Sequence, residues 1–98
     1  MSFLLEVLSK AQAEMADAVD WYEQQQIGLE RRFISNVDEL FERISEYPFH
    51  FPEKNPPFRE ASVMKFPYLV IYQVRGECVV IYSVFHVRQD PEKKYSNK

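Results

Sequence analysis

The sequence predicts an α+β domain: an N-terminal strand, an antiparallel helical hairpin, then a three-stranded antiparallel meander, with the helices packed on one face of a four-stranded sheet. Three observations predict it. Residues 66–86 hold two runs of β-branched and aromatic residues around Arg75-Gly76-Glu77, the pattern of a β-hairpin. Residues 9–47 carry apolar side chains at helical spacing, interrupted once, at Gly28. Ahead of them, Phe3, Leu5 and Val7 alternate with Leu4, Glu6 and Leu8 as in a short strand.

Each element follows from local chemistry. Ser9 stands three residues before Gln12, the spacing of a capping box, so the first helix is expected to begin there and run to about residue 26. Ala11, Met15, Ala18, Val19 and Tyr22 form its apolar face, and Glu14, Asp17, Asp20 and Gln24 a wet one. Gly28 is the expected stop, because glycine accepts the left-handed conformation that closes a helix. The second helix runs from about residue 29 to 47, with Phe33, Val37, Leu40, Phe41 and Ile44 on one stripe, and Pro48 ends it. So short a link makes the two helices antiparallel neighbours.

Residues 48–58 contain four prolines and three phenylalanines, which predicts an irregular loop pinned to the domain by its rings. Residues 59–64 read as a short strand that enters the main hairpin. In that hairpin both faces are apolar, so both should be covered. The helix pair covers one, and no element remains for the other. An uncovered apolar sheet face predicts a protein partner, or a homodimer formed through that face when the partner is absent. The tail after His86 is polar with room for one helical turn, and residues 91–98 read as a disordered end.

With 98 residues the chain is expected to be one domain spanning 1–98. Its single cysteine, Cys78, allows no internal disulfide. The first eight residues lack the basic segment and unbroken apolar core of a signal peptide. No apolar run approaches the roughly 20 residues that cross a bilayer, so no membrane role and a cytoplasmic location are expected. The net charge of -3 is unevenly placed: residues 1–47 carry ten acids and four bases, residues 48–98 five acids and eight bases. A polyanion would meet the second half, although the excess is small for a dedicated nucleic-acid binder.

Several stretches together resemble a known family. They are Trp21-Tyr22-Glu23 followed by Gly28 and Phe33, Pro48 after the second helix, Arg59, Phe66-Pro67-Tyr68 with Ile71 and Tyr72, and the ending from Val84-Phe85-His86 through Val87-Arg88-Gln89-Asp90-Pro91. Over residues 3–92 the chain resembles the RelE/ParE superfamily of bacterial toxins, also called plasmid stabilisation system proteins. The Phe-Pro-Tyr turn and the His-x-x-x-Asp-Pro ending are the most specific parts. The resemblance implies the toxin of a type II toxin-antitoxin pair, with a cognate antitoxin that wraps it. Two activities occur in the superfamily. RelE-like members are ribosome-dependent mRNA endonucleases that inhibit translation, and ParE-like members inhibit DNA gyrase and are not enzymes. The basic residues on the sheet side favour the first, with the ribosome and mRNA as partners; the alternatives are gyrase inhibition, or an attenuated member that only binds its antitoxin.

Metal-independent RNA cleavage needs a base for the 2'-hydroxyl, cations for the crowded phosphate and an acid for the leaving oxygen. In RelE-like nucleases these groups lie on the sheet and near the C-terminus. The resemblance therefore nominates His86, Arg88 and Arg59 as catalytic, and Lys65, Tyr72, Tyr82 and Tyr95 as contacts to nucleic acid or antitoxin. Departures stand beside them: Leu69 follows Tyr68 where many such nucleases have arginine, and Gln89 follows Arg88 where much of the family doubles the arginine. Each candidate also has a structural reading. His86 suits proton transfer, or a hydrogen bond near Asp90 that fixes the turn. Arg88 suits a phosphate or partner carboxylate, or an ion pair with Asp90 or Glu92. Arg59 suits an anion, or an acid across the sheet, and Tyr95 lies where disorder is expected. Trp21 and Tyr22 read as helix packing rather than a stacking platform, and Arg31-Arg32 as a solvated face, although the resemblance to ParE-like toxins would set the helical hairpin against gyrase. His50 has no second histidine or cysteine near it, so no metal and no cofactor are expected.

Overall fold

The computed structural model describes residues 2–95. In chain order they form β1 (Leu4–Val7), α1 (Ser9–Gln25), α2 (Leu29–Glu46), β2 (Glu53–Asn55), β3 (Phe58–Ser62), β4 (Tyr68–Arg75), β5 (Cys78–His86) and a 3-10 turn (Pro91–Lys93). The sheet order is β1-β5-β4-β3-β2, with β1 parallel to β5 and every other pair antiparallel. The α+β class is as expected. The sheet has five strands rather than four, because Glu53-Lys54-Asn55 pairs with β3 inside the proline-rich stretch. No proline falls within those three residues: Pro52 precedes them and Pro56-Pro57 makes the turn, so the strand keeps its donors and serves as a short edge.

The β4–β5 hairpin pairs Arg75 with Cys78 across Gly76-Glu77. Gly76 has φ +58°, the left-handed region that a tight hairpin turn needs and that favours glycine. A bulge follows where Tyr72 opposes Ile81 and Ile71 opposes Ser83, leaving Tyr82 as the extra residue of β5.

One sheet face and the helical hairpin enclose the core. Phe33, Val37, Leu40 and Ile44 of α2 meet Val70, Tyr72, Val79, Ile81 and Val84 of the sheet, and all are buried. From α1 only Ala11 and Ala18 are fully buried. Tyr22 packs on Phe33 and Phe66 at ring-centroid distances of 5.2 and 5.1 Å. Trp21, one residue earlier, points away and is 58% exposed, so the expected packing role belongs to Tyr22 alone.

The start of α1 departs from the capping box. Leu8, not Ser9, stands at the N-cap, and no side chain caps the helix. Gln12 instead donates through Nε2 to the Val7 carbonyl at 2.8 Å, because β1 runs straight into the helix and Leu8 N–H is already held by the Ile81 carbonyl. Gly28 does take φ +87°, but α1 has ended at Gln25, and Gly28 serves as the N-cap of α2.

Glu14, placed on the wet face by periodicity, is partly buried. Its Oε1 accepts from Ser83 Oγ at 2.8 Å and from Val84 N–H at 3.0 Å. The cause is the length of β1: it stops at Val7, opposite Ile81, and the β5 edge beyond it needs another acceptor.

The second sheet face is also not as expected. Ile71, Val80 and Phe85 are buried there, and the segment 91–95 folds back across it. Tyr95 stacks its ring on Phe58 at 5.1 Å, and its backbone carbonyl accepts from Tyr82 Oη at 2.8 Å. Tyr95 thus packs against Phe58, Tyr82 and Glu60, and part of the face read as open to a homodimer is covered by the chain itself. Of the tail read as disordered, residues 96–98 lie outside the described residues.

Candidate functional site

The seven residues nominated from sequence fall into three separate places. Arg59 and Tyr72 are paired across β3 and β4 at the end near the proline-rich loop. Arg59 donates through Nη1 to the Phe51 carbonyl at 2.6 Å and the Phe49 carbonyl at 3.4 Å, lies 3.5 Å from Glu53, and sits over the Phe49 ring at 5.3 Å. Its guanidinium is thus a clamp on loop 49–53. Tyr72 is fully buried and donates through Oη to the Pro48 carbonyl at 2.5 Å, which closes it to any ligand. Burial pushes its phenol up to about 12, with Arg59 pulling weakly the other way.

Tyr82 and Tyr95 lie on the second face around Glu60, an almost buried carboxylate in β3. Glu60 accepts from Lys94 Nζ at 3.2 and 3.3 Å and from Tyr95 Oη in a short hydrogen bond. Burial first and Glu60 second push the Tyr95 phenol well up. The Tyr82 phenol is raised by burial and then by Glu14. Lys10 completes the group: Nζ sits 4.9 Å over the Tyr82 ring, with no hydrogen-bond acceptor among the described residues. Glu60, Lys94, Lys10 and Glu14 were missed from sequence. Glu60 alone carried a signal, an acid in the middle of a strand next to the apolar hairpin.

His86, Arg88 and Lys65 lie at the other end of the sheet, where the β3–β4 turn meets the end of β5. Tyr68 pairs with His86 across the strands and its ring meets the imidazole edge-on at 4.9 Å. His86 Nδ1 accepts the Arg88 backbone N–H at 3.0 Å, which leaves Nε2 to carry the proton of the neutral ring. Asp90 accepts from Glu92 N–H at 3.0 Å and caps the 3-10 turn; neither His86 nor Arg88 pairs with it. Where the sequence reading placed a hydrogen bond near Asp90, the partner of Nδ1 is the Arg88 backbone. Arg88 itself is exposed.

Arg59 and His86 stand opposite Tyr72 and Tyr68, four residues apart along β4, so they are separated by at least about 13 Å at roughly 3.3 Å per residue. That is a backbone separation, and the Arg59 guanidinium is turned onto the Phe49 and Phe51 carbonyls, away from His86. The tyrosines with shifted phenols, Tyr68 included, all move upward, so near neutrality they are donors and none is a base. Among the described residues no group of histidine, cysteine or carboxylate side chains could hold a metal ion. Among the described residues no helix is long and apolar enough to cross a membrane.

The sheet order, the helical hairpin and the turn at His86 can now be set against known proteins. The family model described as the ParE toxin of the type II toxin-antitoxin system parDE matches residues 5–91. The chain belongs to the ParE toxin family. Among solved structures it is similar to one titled "Chromosomal ParDE TA system from P. aeruginosa", with 20% identity and a TM-score of 0.74 over 89% of this chain and 98% of that one. At that identity the likeness supports the fold. No curated protein matches the sequence. In this ParE-family chain the His-Val-Arg-Gln-Asp-Pro ending builds a turn: His86 accepts from Arg88 N–H, the His86 carbonyl accepts from Gln89 N–H at 3.0 Å, and Asp90 starts the 3-10 turn. That turn directs residues 91–95 across the second sheet face.

Proposed function

We propose that this ParE-family toxin acts by binding a protein target, DNA gyrase, and that it does not cut mRNA on the ribosome. The observation that carries the reading is that Arg59 stands apart from His86 and Arg88, which share the other end of the sheet. Arg59 is spent on the Phe49 and Phe51 carbonyls, and His86 stands at the opposite end of β4. Catalysis of phosphoryl transfer depends on cations and proton-transfer groups held around one phosphate, and scattered groups do not supply it. Membership in the ParE family supports the same reading. A cognate antitoxin is the second partner, and both meetings take place in the cytoplasm.

The test has two arms. Pulse labelling of DNA and protein synthesis after induction of this gene alone should show DNA synthesis falling first. Purified protein should then inhibit supercoiling by gyrase and leave message intact on programmed ribosomes. Message cleavage at defined positions, lost on His86→Ala without loss of fold, would return the nuclease reading.

A further inference from the structure

A groove of about 480 Å³ lies between the first turns of α2 and the β3–β4 turn, lined by Leu29, Arg31, Arg32, Ser35, Asn36, Lys65 and Phe66. Its floor is apolar, from half-buried Leu29 and Phe66, and three cations stand around it. None of the three is ion-paired among the described residues, where the salt bridges are Arg59 to Glu53 and Lys94 to Glu60. Glu30, the acid of the same helical turn, does not line the groove.

Two features of this groove run against local stability. Arg31 and Arg32 sit in the first turn of α2, the positive end of the helix dipole, where cations are disfavoured. Lys65 holds φ +68°, a left-handed backbone that is strained for a residue with a side chain. The turn is kept in place by Asn36, which donates through Nδ2 to the Met64 carbonyl at 2.9 Å, and by Val63 N–H donating to the Tyr68 carbonyl at 2.9 Å. Strain of this kind persists where the surroundings enforce it, and it marks a position worth a functional reading.

The occupant must be anionic, and the rest of α2 says which kind. Beyond Ser35 the helix carries Asp38, Glu39, Glu42 and Glu46 with only Arg43 against them. A nucleic-acid backbone leaving the groove along α2 would meet repulsion within two turns, whereas a polypeptide can place carboxylates at the cations and an apolar side chain on the floor. We propose that this groove docks an acidic segment of the cognate antitoxin, two or more carboxylates meeting Arg31, Arg32 and Lys65 and an apolar residue meeting Leu29 and Phe66. The naming of the antitoxin rests on the toxin reading above.

The test uses the full chain and the protein encoded beside it. Arg31→Glu with Arg32→Glu, and separately Lys65→Glu, are compared with wild type by titration at low and high salt, with circular dichroism as the check on fold. Arg75→Glu, at the exposed β4–β5 turn, removes a charge elsewhere. Reversing charges at a docking site costs several kcal/mol, so the double variant should lose roughly 100-fold or more, while Arg75→Glu stays within about threefold. Wild-type affinity should fall with salt and that of the double variant should not. Unchanged affinity in both groove variants overturns the proposal and leaves the toxin reading standing. A wild type that binds no neighbour-encoded protein overturns both. A 12-nucleotide single strand that competes with the antitoxin, and whose own binding is lost in the variants, also overturns it by assigning the groove to nucleic acid.

Discussion

Replacing Arg59 by alanine separates a clamp from a catalytic cation. The guanidinium gives loop 49–53 a partly buried bond to the Phe51 carbonyl at 2.6 Å, a long bond to Phe49, a contact with Glu53 at 3.5 Å and a seat over the Phe49 ring. A charged donor to a partly buried carbonyl contributes about 1.5–3 kcal/mol. The Glu53 pair adds roughly 0–1, since both groups meet solvent, and the ring about 0.5–1. Against this, the alanine variant is spared the rotamer entropy, about 1–2 kcal/mol, that folding costs the ordered arginine. The net loss is therefore about 2 kcal/mol, which in a domain of this size lowers the melting temperature by roughly 8–16 °C. Urea and thermal denaturation measure it, beside growth arrest scored at equal soluble protein. Arg59→Lys keeps the charge but not the fork to two carbonyls, so it should be destabilised as well, and toxicity in both variants should track folded protein. An Arg59→Ala protein within about 0.5 kcal/mol of wild type, yet non-toxic, would refute the clamp and make Arg59 a direct contact.

Three further outcomes follow from single interactions. Glu14→Ala should cost about 2 kcal/mol, because it strips a charged acceptor from Ser83 Oγ and leaves Val84 N–H unpaired, whereas Asp17→Ala on the exposed face should stay within about 0.5. Gly76→Ala should cost about 1–2 kcal/mol from φ +58° alone, since nothing lies within 4 Å of an added Cβ; urea midpoints measure both. Tyr72 gives an alkaline signature. The unfolded chain releases its proton near 10 and the folded chain near 12, so between those values the unfolded state holds fewer protons and stability falls as pH rises. The decline amounts to at most about 2–3 kcal/mol. Tyr72→Phe should be less stable at neutral pH, for want of the bond to Pro48, and should decline less steeply above pH 10.

The order of elements was legible because each rests on a period or a stop: the α2 stripe from Phe33 to Ile44, Gly28, Pro48 and the turn at Gly76. What escaped was set by tertiary geometry. Periodicity counts apolar positions, so it placed Glu14 in water; the shortness of β1 brings that carboxylate to an open strand edge. The apolar second face of the sheet was visible, but its cover was not, since residues 91–95 contribute one ring, Tyr95. The anchor for that segment is polar and non-local, from Glu60 in β3 to Lys94 and Tyr95.

The candidate site shows the same limit in a sharper form. The resemblance nominated Arg59 and His86 for chemistry and Tyr72 as a contact to nucleic acid or antitoxin, yet their partners are backbone groups of Phe51, Arg88 and Pro48, and no side-chain motif records a carbonyl or an N–H. Once those groups are spent on holding loops and turns, charge left unpaired is the better guide to function. Arg31, Arg32 and Lys65 are such charges, and they line one groove on the helical side, two of them in a helix turn where the dipole opposes them. On the docking reading, a fold that keeps cations there at a cost to its own stability places its binding chemistry on α2 and the β3–β4 turn, away from the sheet-side positions of Arg59 and His86.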